Sequence, residues 1–217
     1  MPPSQAAVHA PKPPALRKNR AMKRAPKSEP AWAIATLFPP QGQWSEEEYL
    51  TLDTNRLIEL SDGNVEVLPM PSIDHQRIVR FLYEEISRYV RTGPGGEVFF
   101  APAPVRLWPG TLREPDVFYL NPVHSARCGD DFSERADLVM EVVSPNNADH
   151  DRRVKRLEYA KAGIPEYWIV DPAERTITVL ALAKGRYKVH GVYGPGEKAA
   201  SALLKGFAVP VSGAFKR

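Results

Sequence analysis

The chain has 217 residues, 43% of them hydrophobic and 25% charged, the balance of one soluble domain with an ordinary core. Its net charge of +3 hides a division, because the first 30 residues carry seven basic side chains, one acid and seven of the 22 prolines, and the remainder has a slight acidic excess. That excess rules out a broadly basic, nucleic-acid-coating body, and the single cysteine, Cys128, rules out an intramolecular disulfide and a multi-cysteine zinc site.

Residues 1–30 are too rich in Pro, Lys and Arg to bury apolar surface, and they read as a disordered arm ahead of a single domain over 31–217. They also lack the apolar core of a secretory signal, and no apolar run approaches the roughly 18 residues of a membrane helix. A cytoplasmic protein without membrane contact is expected.

Order is expected from about Trp44. Ser45 followed by Glu46, Glu47 and Glu48 is an N-cap with acids in the first turn, turning Tyr49 and Leu50 inward. Residues 56–60 and 64–68 flank Ser61-Asp62-Gly63 as a β-hairpin. Ser72 caps a helix whose apolar face is His75, Ile78, Leu82, Ile86 and Tyr89, ending near Arg91.

Residues 97–101, 105–108 and 116–120 read as strands, with a turn at Gly110, and a polar loop around Cys128 follows. Residues 136–143 (ADLVMEVV) form the most apolar strand, expected at the sheet centre. A helix over 149–162 closes at Gly163, and strand 167–170 completes a strand–helix–strand crossover. On a helical wheel Val154 and Leu157 face the sheet, with Asp151, Lys155 and Glu158 on the adjoining flank. Residues 176–182 and 187–192 make a closing hairpin around Lys184-Gly185. The fold class is α/β, a mixed α+β sheet with flanking helices and added hairpins.

Acids at strand ends carry the chemical signal. Asp116 follows Pro115 at a strand start, and Glu141 lies inside an apolar strand, where an unpaired carboxylate costs several kcal/mol. If the two strands are neighbours, both carboxylates converge on one Mg²⁺ or Mn²⁺ ion, a hard cation that keeps several waters and needs few protein ligands. The Val142 carbonyl is a further candidate ligand, and Lys155 can reach over the strand end towards a phosphate or the attacking water. Plainer readings stand beside these. Glu141 can pair with Arg113, Asp116 can cap a turn, and Lys155 can pair with Asp151 on a wet face. Tyr167 and Trp168 read as core aromatics, and Cys128 has no activating base.

The string EVVSPNNADHDRRVKRLEYAKAGIPEYWIVDP from Glu141, with REPDVFYL upstream and WSEEEYLTLDTNRLIELSDGNVEVLPMPSIDHQRIV before it, resembles the Uma2 family of the PD-(D/E)XK nuclease-like superfamily. The resemblance spans about Trp44 to Leu182. It implies a restriction-endonuclease-like core, Asp116 and Glu141 as metal-binding acids, Mg²⁺ and phosphodiester cleavage. The superfamily's motif places a lysine two residues after the second acid. This chain has Val143 there, and Lys155 is the substitute from the neighbouring helix.

Glu59 and His75 match recurring positions in Uma2-like sequences. Glu59 is carried as an extra metal or water ligand, against an edge-strand acid on solvent, and His75 as a phosphate contact or a support of the site, against a core histidine. Arg152, Arg153 and Arg156 are the candidate phosphate contacts. The expected function is a Mg²⁺-dependent endonuclease acting on DNA, possible as a homodimer. The alternative is a catalytically decayed nuclease-fold module that binds nucleic acid or a protein.

Overall fold

Strand alternation splits the apolar residues of the central strand between two faces, and two helices, one from each half of the chain, cover them. The computed structural model describes residues 38–54, 56–144 and 150–216. The Pro/Lys/Arg-rich stretch 1–30 lies outside the described residues, and Pro39–Arg217 clusters as one compact unit.

Helix α1 (Glu46–Leu50) begins with a reciprocal capping box between Ser45 and Glu48. Strands β1 (Ile58–Ser61) and β2 (Asn64–Val67) are joined by Asp62-Gly63, both at positive φ (46° and 76°), as a twist-matched two-residue turn requires. Helix α2 (Ile73–Thr92) starts at the Ser72 cap. It is followed by β3 (Glu97–Phe100), β4 (Val105–Trp108), a short β5 (Thr111–Arg113) that the sequence does not announce, and β6 (Val117–Leu120). Within the polar loop lies a 3₁₀ helix, Pro122–Arg127.

Strand β7 (Leu138–Val142) is buried along its whole length, β8 is Glu166–Asp171, and β9 (Thr176–Ala183) turns into β10 (Arg186–Tyr193). The C-terminal strands β11 (Lys198–Ala200) and β12 (Ala208–Pro210) pair with each other before α4 (Val211–Ala214). Helix α3 (Arg156–Ala162) precedes β8, and Gly163 closes it in the left-handed conformation.

The larger sheet runs β10-β9-β8-β7-β6-β3, and only β7 and β8 are parallel, the mixed sheet expected from the strand–helix–strand crossover. A smaller antiparallel sheet has the order β2-β1-β5-β4. One face of the larger sheet packs Leu138, Met140 and Val142 against Ile78, Leu82 and Ile86 of α2. The other packs Val139 and Val143 against Tyr159 of α3 and Tyr167. Glu141 therefore belongs to the α3 face, between two core valines. Buried Glu166 accepts bonds from Trp168 Nε1, Ser201 Oγ and the N–H groups of Ala202 and Leu203 at 2.6–2.7 Å, which ties the C-terminal segment to β8.

The crossover helix departs from the wheel. Val154 is 41% exposed and Leu157 73% exposed, whereas Lys155 (4%) and Tyr159 (0%) are buried. The reason is a π-helical turn over His150–Lys155, whose wider winding moves each side chain off its α-helical direction before α3 begins. Asp149 lies outside the described residues, as does the segment 145–149 that leads into the turn.

This phase is directly testable. Leu157→Glu should shift stability by no more than about 0.5 kcal/mol in chemical denaturation, as at other exposed positions. Tyr159→Ala should cost about 3–5 kcal/mol. Equal losses would contradict the phase.

Candidate active site

Strands β6 and β7 pair antiparallel with Val117 opposite Met140, so Asp116, just ahead of β6, comes level with Glu141. The Val142 N–H donates to Asp116 Oδ2 at 2.7 Å, and His75 Nε2 lies 3.2 Å from the same oxygen. His75 stands in the first turn of α2, where its own N–H donates to the Ser72 hydroxyl. Asp116, Glu141, His75, Val142 and Lys155 all line one open cleft of ≈ 840 Å³.

Lys155 Nζ donates to Glu141 Oε1 at 3.0 Å, and the Tyr159 hydroxyl donates to the same oxygen at 2.5 Å. Glu59 Oε1 stands 3.3 Å from the same ammonium. Lysine and glutamate are both almost fully buried, so each charge depends on the other for the solvation it lost. Val143, at the superfamily's lysine position, is core, and the ammonium arrives from the π-turn instead.

Glu59 is not on an edge strand. Strand β1 is paired on both sides, and Glu59 is wholly buried. Its Oε2 accepts from Arg113 Nη1 at 2.9 Å and its Oε1 from the Glu114 N–H at 3.0 Å. Burial alone would push its carboxyl up, but the Lys155 and Arg113 charges and the Glu114 N–H outweigh this and hold it below the ordinary value.

Arg113, also fully buried, donates to both oxygens of Glu158 at 2.8 Å and to Glu66 Oε2 at 2.8 Å, so it does not neutralise Glu141. The position of Glu59 suits holding Lys155 more than extending the ligand set.

The three arginines do not form one patch. Arg152 lines the cleft with its guanidinium on Asp171, Arg156 donates to the Tyr187 carbonyl at 3.2 Å, and Arg153 is exposed outside the cleft lining. Tyr167 and Trp168 are core, and Cys128 is a free thiol.

Sequence reasoning passed over Tyr159, although its four-residue spacing from Lys155 was a usable signal. It also passed over Glu114, which lines the cleft beside Asp116. Tyr49 donates to Glu114 Oε1 at 3.2 Å, while Oε2 is buried with no hydrogen-bond partner among the described residues. Burial chiefly, and the Glu59 charge after it, push this carboxyl up to about 7 against the opposing Tyr49 bond.

The donor set is all oxygen on the acids, with one nearby imidazole. No group of three or more His, Cys, Asp or Glu side chains is arranged to hold a metal among the described residues, so a zinc-type cage does not fit. Two carboxylates level across neighbouring strands on an open cleft do fit a hard cation that retains much of its water.

A family model, Uma2, described as "Putative restriction endonuclease", matches residues 46–212. The search of curated proteins returned no match. Among solved structures, a putative nuclease belonging to DUF820 from Anabaena variabilis ATCC 29413 is similar at 19% identity and a TM-score of 0.63, covering 79% of this chain and 97% of that one. At that identity the likeness shows the nuclease-like fold.

Glu114 generates a stability test. Its folded-state pKa is about 7 against an ordinary 4.5. The folded chain therefore holds this proton more tightly than the unfolded chain, a stabilisation complete below pH 4.5 and lost as pH rises through 7. In EDTA, Glu114→Gln should raise the thermal midpoint relative to the parent at pH 8, with the gain fading towards pH 4.5. A gain independent of pH would refute the burial effect.

Proposed function

This chain belongs to the Uma2 family, and from that premise and the cleft geometry we propose that it is a Mg²⁺- or Mn²⁺-dependent endonuclease that hydrolyses DNA phosphodiester bonds. One observation carries the reading: Asp116 and Glu141, level across β6 and β7, line one cleft with the Lys155 ammonium 3.0 Å from Glu141.

Asp116 and Glu141 are the residues that would hold the cation, and the Val142 carbonyl is the further candidate. When bound, the cation supplies Lewis-acid polarisation of a phosphate and a more acidic water. The chain's own groups do the rest. His75 and the Val142 N–H hold Asp116 through one oxygen, Oδ2, and Tyr159 and Lys155 hold Glu141 through Oε1.

Lys155 brings a positive charge to the edge of the cleft, where negative charge grows on a phosphate under attack. Glu59 keeps that ammonium in place, and Arg113 keeps Glu59 ionised. Such preorganisation is worth most where water is scarce, as around these buried groups. Val143 at the superfamily's lysine position would mark a decayed site if no other cation stood near Glu141. Lys155 meets that requirement from the π-turn.

Glu141→Gln should lower Mg²⁺-dependent cleavage of DNA by at least about 10²-fold, measured at a temperature where its circular dichroism still matches that of the parent, and its thermal midpoint should fall because Lys155 loses a buried partner. Glu59→Gln should lower the cleavage rate with little change in Mn²⁺ affinity by calorimetry, because it acts through Lys155. Equal cutting by parent and Glu141→Gln would end the nuclease reading. A parent that binds no Mn²⁺ would indicate the decayed binding module instead.

A further inference from the structure

The walls of the cleft differ from its floor. The first hairpin and the chain leaving it contribute Leu57, Leu68 and Met70, and the loops after β3, β7 and β8 contribute Pro102, Val143 and Pro172. Met70 is 67% exposed, beside Pro69 and Pro71. Two cationic side chains line the cleft among the described residues, Arg152 and Lys155, and both are already in ion pairs. Five acids line it with them: Asp74, Glu114, Asp116, Glu141 and Asp171.

Paired DNA presents rows of phosphates and hides its base faces, so proteins that hold it match those phosphates with Lys and Arg. Here a single phosphate can be accommodated beside a cation on Asp116 and Glu141, but a row of them would meet carboxylates and hydrocarbon. Apolar walls bury flat, weakly hydrated surface, and in nucleic acid that surface belongs to a base out of its stack. The size agrees, since ≈ 840 Å³ falls within the ~300–1,000 Å³ of sites that enclose a small ligand.

From these walls, this charge balance and the acid pair on the floor, we propose that the cleft takes DNA with unpaired bases, seating a base against Leu57, Leu68 and Met70 beside the phosphodiester to be cut. The proposal rests on the nuclease reading for the identity of the polymer. It narrows the substrate from DNA in general to single strands, bubbles and extruded bases. Fully paired duplex is disfavoured because its stacked bases leave the apolar walls unfilled, while the phosphate rows of either form find few cations in the cleft among the described residues.

The test is fluorescence anisotropy of the 217-residue chain in Ca²⁺, a hard divalent ion for the same carboxylates. The probes are one DNA sequence as a single strand, as a duplex with a central unpaired bubble, as a blunt duplex, and as a single strand with abasic sites at its centre. The single strand and bubble should bind about tenfold more tightly than the blunt duplex, and the abasic strand should lose most of that advantage. Met70→Ser, at an exposed position that leaves the fold intact, should weaken single-strand binding several-fold without changing duplex binding.

Duplex binding equal to or tighter than single-strand binding, undiminished binding of the abasic strand, or no binding of any probe would each overturn the proposal. An RNA strand of the same sequence binding more tightly than the DNA strand would overturn its assignment to DNA. Cleavage of the same probes in Mg²⁺ separates the two levels: base-dependent binding without cleavage retains the cleft assignment and defeats the nuclease reading, while faster cleavage of blunt duplex does the reverse.

Discussion

A lysine ammonium enclosed between two glutamates is the interaction on which the rest depends. Lys155 is removed from water, and an unpaired charge there would cost several kcal/mol after relaxation. Glu141 at 3.0 Å and Glu59 at 3.3 Å replace the lost water. Two carboxylates on one ammonium leave a negative surplus, which Arg113 meets from the far side of Glu59 while also holding Glu66 and Glu158. Breaking any one link would strand a buried charge, so the network holds its geometry as a unit.

The members of this network come from four parts of the chain that meet only in the folded state. Glu59 and Arg113 belong to the smaller sheet, Glu141 to the centre of the larger one, and Lys155 to the π-turn that leads into the crossover helix. The ion pairs therefore clamp the small sheet to the large one at the edge of the cleft. A local winding change decides the chemistry: with Lys155 turned inward and Leu157 outward, the ammonium reaches the strand that carries the acid. The apolar residue consequently exposed is the cost of that placement.

The cleft divides its labour by chemistry. Oxygen donors stand together where two antiparallel strands come level, and each is held by two neighbours: His75 and a backbone N–H on Asp116, Tyr159 and Lys155 on Glu141. Around them the walls are largely apolar, which lowers the local dielectric and strengthens every charge interaction on the floor. Among the described residues, the two cationic side chains of the cleft are engaged by its own carboxylates.

Much of the architecture was legible in the sequence, because it follows from local rules. Apolar alternation, the Ser45 and Ser72 caps, the Asp62-Gly63 and Lys184-Gly185 turns and the strand–helix–strand pattern each act over a few residues. Asp116 and Glu141 also stood out, since a carboxylate at a strand start and another inside an apolar strand are locally anomalous. The roles of Glu59, Glu114 and Arg113 were not legible in this way. A buried arginine looks like any other until its three acidic partners arrive from distant segments, and the inward turn of Lys155 depends on a π-turn that no α-helical period encodes. Sequence by itself determined most of the elements and marked the two acids as anomalous, because those depend on neighbours along the chain, whereas their coming level depends on how β6 and β7 pair. Only tertiary structure decided which charges compensate one another, because that depends on distances through space and on water excluded by packing.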